Sequence, residues 1–158
     1  MSSITLRFLA EPSTVNFGGK VHGGTVMKWI DEAGYACATS WSKRYCVTAF
    51  IGSIRFHRPI RIGDLVEVEA RLVYTGNTSM NISVQVRSSD MKGGQMQTTT
   101  ECLIVFVSVD VEGKPVPDEA TTACASLEKR LTVMRAPVMR GCSLATRHTK
   151  FCLNRVCW

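Results

Sequence analysis

The sequence predicts an α+β fold in which a curled antiparallel sheet wraps one long central helix. Between Gly24 and about Trp41, apolar residues recur at intervals of three and four, as they do on one face of a helix. After residue 46 the apolar period changes to two, which indicates strands. A single helix among antiparallel strands buries its apolar face only if the sheet curls around it.

The first part of the chain leads into this helix. Residues 4–10 alternate between apolar and polar side chains, which predicts a short first strand. Residues 11–19 predict a loop, because they are rich in proline, asparagine and glycine. Two further glycines, Gly23 and Gly24, stand at the expected helix start. There they allow another group to approach the backbone closely.

The helix start and one acidic residue together indicate a hydrolytic site. The first N–H groups of a helix have no partner within the helix, so they can stabilise a developing oxyanion. Two turns further along, Asp31 interrupts an otherwise apolar run. A carboxylate there can act as a base or as a nucleophile. Without a known relative, a solvated helix edge would be the better explanation of Asp31 and Glu32.

Four strands are expected after the helix, followed by a closing helix at residues 118–130. Glycine-containing turns separate the strands, and Gly76-Asn77 predicts a tight hairpin. The last strand is almost continuously apolar, which predicts a central strand buried on both faces. The predicted strands are residues 47–57, 65–74, 80–87 and 98–111.

Length and charge predict one folded domain, residues 1–130, followed by a basic, cysteine-containing tail at 131–158 that is poorly ordered. The domain has 14 basic and 13 acidic residues, whereas the tail has 5 basic residues and no acidic one. The nearly neutral domain does not indicate nucleic-acid binding.

No apolar run approaches the roughly 20 residues needed to span a bilayer. The N-terminus lacks the layout of a secretory signal, so we expect a cytoplasmic location and no membrane association.

The seven cysteines do not predict a metal site or a disulfide framework. They include no Cys-x-x-Cys pair, and the three histidines do not complete a set of ligands. We therefore expect reduced thiols and no metal. The sequence also lacks a Walker loop, a dinucleotide-binding glycine motif and a Gly-x-Ser-x-Gly elbow.

The order of elements and a series of short motifs resemble the hotdog-fold acyl-CoA thioesterases. The similarity is to the branch that contains the bacterial YciA-type enzymes and the mammalian brain and cytosolic acyl-CoA hydrolases. It covers roughly residues 5–130. The residues that carry it are Asn16, Gly19, His22-Gly23-Gly24, Met27, Trp29-Ile30-Asp31-Glu32-Ala33, Val47-Thr48, Phe56-His57-Arg58-Pro59, Ile62-Gly63-Asp64, Gly76-Asn77-Thr78-Ser79-Met80, Val109-Asp110 and Gly113-Lys114-Pro115.

This resemblance implies that the chain hydrolyses fatty acyl-CoA to a free fatty acid and CoA at a site between two subunits. Asp31 matches the catalytic acid, Asn16 the loop asparagine that faces it from the other subunit, and Gly24 the glycine whose N–H faces the thioester oxygen. His22 and Gly23 are expected beside the substrate. The family forms dimers with continuous sheets, which commonly assemble into hexamers, so a homo-oligomer such as a trimer of dimers is expected.

The resemblance also implies where coenzyme A contacts the chain. We expect contacts at Ala49, Phe50 and Ile51, and at the hairpin residues Thr78, Ser79 and Met80. Arg130 or Lys129 would reach a phosphate. No separate cofactor is expected, because coenzyme A is part of the substrate.

Two alternatives without enzymatic activity stay open. The first is a hotdog module that binds acyl-CoA as a sensor without hydrolysing it. The second is an interaction protein whose basic tail binds nucleic acid or an acidic membrane. Hydratase or dehydratase activity on the same fold is a third alternative, but the sequence lacks the pair of a histidine and an acid that those enzymes use.

Overall fold

A computed structural model of the chain describes residues 2–117. It confirms the predicted α+β class, since one helix packs on all five strands of an antiparallel sheet. The predicted closing helix, Arg130 and the tail at 131–158 lie outside the described residues. The elements are β1 (Ser3–Leu9), a 3-10 turn (Pro12–Thr14), α1 (Gly23–Ser42), β2 (Cys46–Phe56), β3 (Leu65–Thr75), β4 (Ser79–Ser89) and β5 (Gln97–Ser108).

The helix α1 buries one apolar face against the sheet and is capped at both ends. His22 is the N-cap, and Lys43 ends the helix in the left-handed conformation, with φ 56°. Gly34 lets the helix come close to the sheet, because a Cβ atom there would lie 2.6 Å from the buried ring of Phe106. The buried helix residues are Val26, Trp29, Ile30, Ala33, Gly34, Cys37, Ala38 and Ser42.

The strand order is β1-β3-β4-β5-β2, which leaves β1 and β2 at the two edges. All neighbouring strands are antiparallel. The edge strand β2 follows the helix directly and has two register irregularities, one between Thr48 and Phe50 and one between Ile51 and Ile54. Such bulges bend a strand and change the direction of its side chains.

The prediction that the last strand is buried on both faces is wrong for this chain. β5 is central, because it pairs with β4 and with β2. However, Glu101 and Leu103 are exposed on the face away from the helix, while Cys102 and Ile104 are buried beneath it. The strand also ends at Ser108, and Val109 forms only an isolated bridge to Pro115. One face of β5 is therefore available to another surface.

Charged side chains cover the outer face of β1, β3 and β4. Glu67 is only 4% exposed there, although its charge is retained. Both Arg7 and Arg87 donate hydrogen bonds to its carboxylate, and Arg87 also donates to Glu69. Within residues 2–117, the fold contains no helix of the length and hydropathy needed to cross a membrane.

Candidate active site

The loop that leads to the helix is fixed by Asn16. Its side-chain oxygen Oδ1 accepts the backbone N–H groups of Gly18 at 2.9 Å and Lys20 at 3.2 Å. Its backbone N–H donates to the carbonyl of Lys20 at 2.7 Å. The side chain is exposed, and its amide N–H groups have no partner among residues 2–117. Asn16 therefore shapes the loop with its oxygen and keeps two donors available.

Two neighbouring backbone donors differ in their availability at the helix start. The N–H of Gly24 donates to Nδ1 of His22 at 3.3 Å, so the histidine ring caps the helix. The N–H of Gly23 has no acceptor among the described residues. A groove of about 310 Å³ borders this point and includes Gly23, Phe56 and His57 in its lining. The helix start thus presents one free donor and one that the His22 ring occupies.

The carboxylate of Asp31 is half-buried and held from the sheet. Oγ1 of Thr48, in β2, donates to Oδ1 of Asp31 at 2.5 Å. Thr48 pairs with Phe106, whose side chain is buried beneath the helix, so this position of β2 faces α1. The hydrogen bond leaves Oδ2 of Asp31 for a water molecule or a substrate. The carboxylate is therefore oriented by the fold instead of moving freely on a helix surface.

The helix and the edge strand β2 run in opposite directions and contact each other along their length. We call the surface along which they meet the α1–β2 crevice. Gly23 lies beside Phe56 at one end, Asp31 contacts Thr48 in the middle, and Tyr35 packs edge-to-face on the ring of Tyr45 near the other end. Large apolar side chains border the crevice and stay exposed: Met27, Tyr35, Tyr45, Ile51 and Phe56. A polar centre with apolar flanks suits a thioester with an acyl chain.

The two segments for which coenzyme A contacts were predicted lie on either side of β5, because Thr48 and Met80 both pair with Phe106. Ala49, Phe50 and Ile51 lie on β2 directly after Thr48, and both Phe50 and Ile51 are exposed. Thr78 and Ser79 stand at the β3–β4 hairpin, where the carbonyl of Thr78 accepts the N–H of Ser108.

The side chain of Met80, another of the predicted coenzyme A contacts, does not face the surface of the single chain. Met80 is fully buried in the core. Its neighbour across the ladder is Phe106, which also lies beneath the helix. The alternation along β4 therefore turns Met80 inward, away from any ligand on the surface.

One chain does not bring Gly24 and Asp31 to a common point. They are seven residues apart on the same helix, which corresponds to about 10 Å along the axis. A carbonyl oxygen and the atom that attacks its carbon lie much closer together than that. A site that uses both residue types therefore needs one of them from a second copy of the chain.

Sequence reasoning missed Thr48 as a site residue and Tyr45 as a wall of the crevice. Val47-Thr48 belonged to the motif series, but nothing in the spacing joined it to a residue 17 positions earlier. The signal is visible only in the alternation of β2, since Thr48 is a polar residue on the strand's helix-facing side. Tyr45 precedes the strand and carries no periodic signal.

Other reactive groups in the described part of the chain offer no competing site. Burial raises the pKa values of the Cys37 and Cys102 thiols, so both stay protonated and unreactive at neutral pH. His57 bonds to Glu101 at 3.2 Å on an exposed surface. No cluster of three or more His, Cys, Asp or Glu residues suited to a metal ion occurs among residues 2–117.

Comparison with known proteins places the chain in a family. A family model described as the thioesterase superfamily matches residues 18–95. The acyl-CoA thioester hydrolase YciA of Escherichia coli is 36% identical over 115 residues, which cover 71% of this chain and 87% of that protein. Protein VdlD of Helicobacter pylori is 32% identical over 73% of this chain. The chain spans only 66%, about two thirds, of the length of VdlD.

Solved structures show the same architecture. A hexameric thioesterase from Yersinia pestis has 33% identity and a TM-score of 0.68, covering 72% of this chain and 92% of that chain. An acyl-CoA hydrolase from Staphylococcus aureus, in complex with butyryl coenzyme A, coenzyme A and coenzyme A disulfide, has 27% identity and a TM-score of 0.70. The match covers 84% of this chain and 88% of that one. Other structures of the S. aureus hydrolase carry alanine in place of an aspartate, an asparagine or a threonine.

These matches confirm the resemblance that the motif series indicated. The fold agrees with that of the solved thioesterases over most of their length. The identity to YciA extends over most of that enzyme. The chain therefore belongs to the hotdog-fold thioesterase superfamily, in the branch of the YciA acyl-CoA thioester hydrolases.

Proposed function

We propose that this protein hydrolyses acyl-CoA to a free carboxylic acid and coenzyme A, with Asp31 as the catalytic acid–base or nucleophilic residue. The observation that carries the proposal is the Asp31 carboxylate, oriented by Thr48 at 2.5 Å in the middle of the α1–β2 crevice. The named activity of the YciA relatives supports the reaction class. The butyryl-coenzyme A complex of the S. aureus hydrolase supports the substrate class.

The reaction needs an attack on the thioester carbonyl and the loss of a thiolate. In one route, Oδ2 of Asp31 takes a proton from water while the water oxygen adds to the carbonyl carbon. The C–S bond then breaks, and the coenzyme A thiolate recovers a proton. In the other route Oδ2 of Asp31 adds directly to the carbonyl carbon, the C–S bond breaks to release the coenzyme A thiolate, and water hydrolyses the resulting anhydride. Both routes use the same carboxylate, and both lead to the same products.

The helix start supplies donors for the negative charge that develops on the carbonyl oxygen. The family resemblance implies that the N–H of Gly24 donates to the thioester oxygen. The His22 ring accepts this N–H in the structure, so the substrate oxygen has to replace the ring as its acceptor. The adjacent N–H of Gly23 is already free and lies beside the same groove. Both belong to the positive end of the helix dipole, which favours an anion. One such donor typically contributes about 100- to 1,000-fold in rate.

A second copy of the chain completes the site in this proposal. The edge strand β2 has 11 residues, contains no proline and exposes Phe50 and Ile51, so it offers a long edge for pairing. Antiparallel pairing of two β2 strands centred on Ile51 would place Thr48 opposite the second copy's Ile54. The helix start of the second copy lies beside the end of its own β2, at Phe56. This arrangement brings a helix start and its asparagine loop towards Asp31 of the other chain.

The spacing of three residues supports the same assignment. In the S. aureus hydrolase, the substituted asparagine, aspartate and threonine are separated by 15 and 17 positions. Asn16, Asp31 and Thr48 have the same separations in this chain. We assign Asn16 to orient the attacking water or the carbonyl through its free amide group. Hexameric relatives support a trimer of such dimers.

The Asp31→Ala variant tests the proposal. We expect the variant to lose turnover by at least about 1,000-fold while it keeps its fold and coenzyme A binding, because only the reacting carboxylate is removed. The measurement is a chromatographic assay of a panel of acyl-CoA chain lengths, since seven cysteines would react with a thiol dye. Glu32→Gln is the matched control, because Glu32 is the next residue on the helix and only pairs with Lys28 at the surface.

Two results would contradict the proposal. Turnover by Asp31→Ala at the wild-type rate would remove Asp31 from the mechanism. Binding of acyl-CoA without hydrolysis by the wild type would favour the sensor alternative.

The proposed reaction uses no separate cofactor, and the cytoplasmic location stays a prediction of the sequence.

A further inference from the structure

We infer that His22 is a displaceable cap of the active site, because its ring and the thioester oxygen compete for the N–H of Gly24. This inference rests on the proposed function, since it assumes that a thioester oxygen reaches that N–H. It goes beyond the proposed function by giving the His22 ring a role that opposes substrate binding. The strength of the cap then limits the rate at low substrate concentration, together with the catalytic carboxylate.

The contact between the ring and the helix start is direct. The N–H of Gly24 donates to Nδ1 of His22 at 3.3 Å, and this side chain is the N-cap of α1. A Cβ atom on Gly24 would lie 3.6 Å from the same nitrogen, so the ring covers this residue. A thioester oxygen therefore cannot accept the N–H of Gly24 until the ring has moved.

The ring itself is held weakly. Its hydrogen bond of 3.3 Å is longer than the ~2.7–3.2 Å that is typical of N–H···O bonds. The side chain of His22 is exposed, and its other ring nitrogen, Nε2, has no partner among residues 2–117. Because Nδ1 accepts a hydrogen bond, Nε2 carries the proton of the neutral ring. One long hydrogen bond is therefore the only polar contact that the described part of the chain gives the ring.

The backbone of His22 is fixed independently of its ring. Its N–H donates to the carbonyl of Thr14 at 2.8 Å. Its carbonyl accepts the N–H groups of Thr25 at 2.9 Å and Val26 at 3.2 Å. The first turn of the helix thus keeps these main-chain bonds when the side chain rotates. Displacement of the ring needs only a change of rotamer, which is fast for an exposed side chain.

The thioester oxygen has an advantage over the ring at this position. The N–H of Gly23, the residue before Gly24, has no acceptor among the described residues. An oxygen at the helix start can accept from both groups, whereas the ring accepts from one. These bonds strengthen as negative charge develops on the oxygen, because charge-assisted hydrogen bonds are roughly twice as strong as neutral ones. The cap therefore yields to the substrate and closes again after the product leaves.

A cap of this kind lowers the affinity for the substrate. Part of the binding free energy is used to break the bond between the ring and Gly24, as in any equilibrium between a closed and an open state. A typical N-cap bond corresponds to about a fivefold change in an equilibrium constant. Variants with a weaker cap should thus bind the substrate better, and variants with a stronger cap should bind it less well.

Three substitutions of His22 test the inference. His22→Ala removes the acceptor, and His22→Phe removes it while keeping an aromatic ring. We expect both variants to raise kcat/KM for acyl-CoA about fivefold, although the loss of the cap lowers their melting temperature. His22→Ser introduces a stronger N-cap, which should lower kcat/KM about fivefold and keep or raise the melting temperature. Activity and stability should therefore change in opposite directions.

The matched control is Ser40→Gly, which weakens α1 at an exposed position in its last turn. This control should lower the melting temperature and leave kcat/KM unchanged, so it separates helix stability from the effect of the cap. Calorimetry with a ketone analogue of acyl-CoA, in which a methylene group replaces the sulfur, measures binding without hydrolysis. The affinities of the His22 variants for this analogue should follow the same order as their kcat/KM values.

Two results would overturn the inference. The first is an equal kcat/KM in the wild type and all three His22 variants. The second is a loss of activity in both His22→Ala and His22→Phe, which would mean that the ring assists catalysis. Failure of the wild type to hydrolyse any acyl-CoA would overturn the proposed function instead. The order of affinities for the ketone analogue would then still decide whether His22 competes for the N–H of Gly24.

Discussion

Asp31 is an effective base or nucleophile only if one of its oxygens stays directed at the substrate. The donor from Thr48 fixes Oδ1, and this assigns the chemistry to Oδ2. A hydrogen bond to a charged group contributes about 1.5–3 kcal/mol. Since the bond exists before any substrate arrives, its main effect is on the orientation of the carboxylate. Thr48 is therefore a positioning residue in the proposed mechanism.

The Thr48→Val variant should lower kcat about 10- to 100-fold, because the isosteric side chain no longer orients Asp31. KM should change little, since Thr48 does not contact the substrate in this proposal. Steady-state kinetics on one acyl-CoA give this split directly. Thr48→Ser keeps the hydroxyl group and should retain most of the rate. Equal losses in the valine and serine variants, accompanied by a lower melting temperature, would indicate a structural role only.

At the level of single residues, the sequence was informative where a motif and a chemical role coincided. Asp31 stood out as an acid within an apolar helix. Thr48 did not, because its role depends on the facing of β2 and on a contact 17 residues away. For Met80, the family resemblance implied a coenzyme A contact, whereas the strand alternation buries its side chain in the core. Alternation determines the direction of a side chain, and a motif does not.

Among the secondary-structure elements, the helix and the strands were predictable because burial on one face leaves a period in the sequence. The exposure of one face of β5 was not predictable, since a continuous apolar run does not show which of its side chains the single chain leaves exposed. Leu103 is 40% exposed in the single chain although its neighbours along β5 are apolar. The outer side of β5 therefore exposes apolar surface in the single chain.

The charged outer face of the sheet gives a prediction about pH. Arg7 and Arg87 hold the pKa of Glu67 below its usual value, the hydrogen bond from Arg7 being the largest cause. A lowered native pKa stabilises the fold above the ordinary value of about 4.5, and the effect is lost as the pH falls through the native value. Glu67→Gln should therefore lower the unfolding free energy by ~1–2 kcal/mol at pH 7.

The difference between the wild type and Glu67→Gln should shrink as the pH falls from the ordinary value through the lower native pKa of Glu67, because below that pKa both side chains are uncharged. Denaturant titrations at several pH values between neutral and about 3 measure it. Glu112→Gln is the control, since Glu112 pairs with Lys114 on an exposed turn. A difference that does not depend on pH would mean that packing, and not charge, explains the effect of Glu67.

The whole molecule is expected to work only as an assembly. The helix start and Asp31 of one chain are about 10 Å apart along the helix, and the apolar edge of β2 is open. The proposed pairing of two β2 edges would solve both problems at once, because it would cover Phe50 and Ile51 and bring together complementary halves of two sites. The sequence indicated this arrangement only through the family resemblance, since no intrachain pattern encodes a partner.

A subunit-mixing experiment tests this arrangement. One parent is Asp31→Ala, and the other is Asn16→Asp, which keeps the Oδ1 acceptor that holds Gly18 and Lys20 but removes the amide donor. Each parent alone should be nearly inactive. In dimers formed by unfolding and refolding an equal mixture, one site of each mixed dimer has both intact residues, so about a quarter of all sites should recover. Recovery of activity means that Asn16 and Asp31 act across the interface. An inactive mixture that nevertheless forms mixed oligomers would place both residues of a site in the same chain, contrary to the proposed geometry.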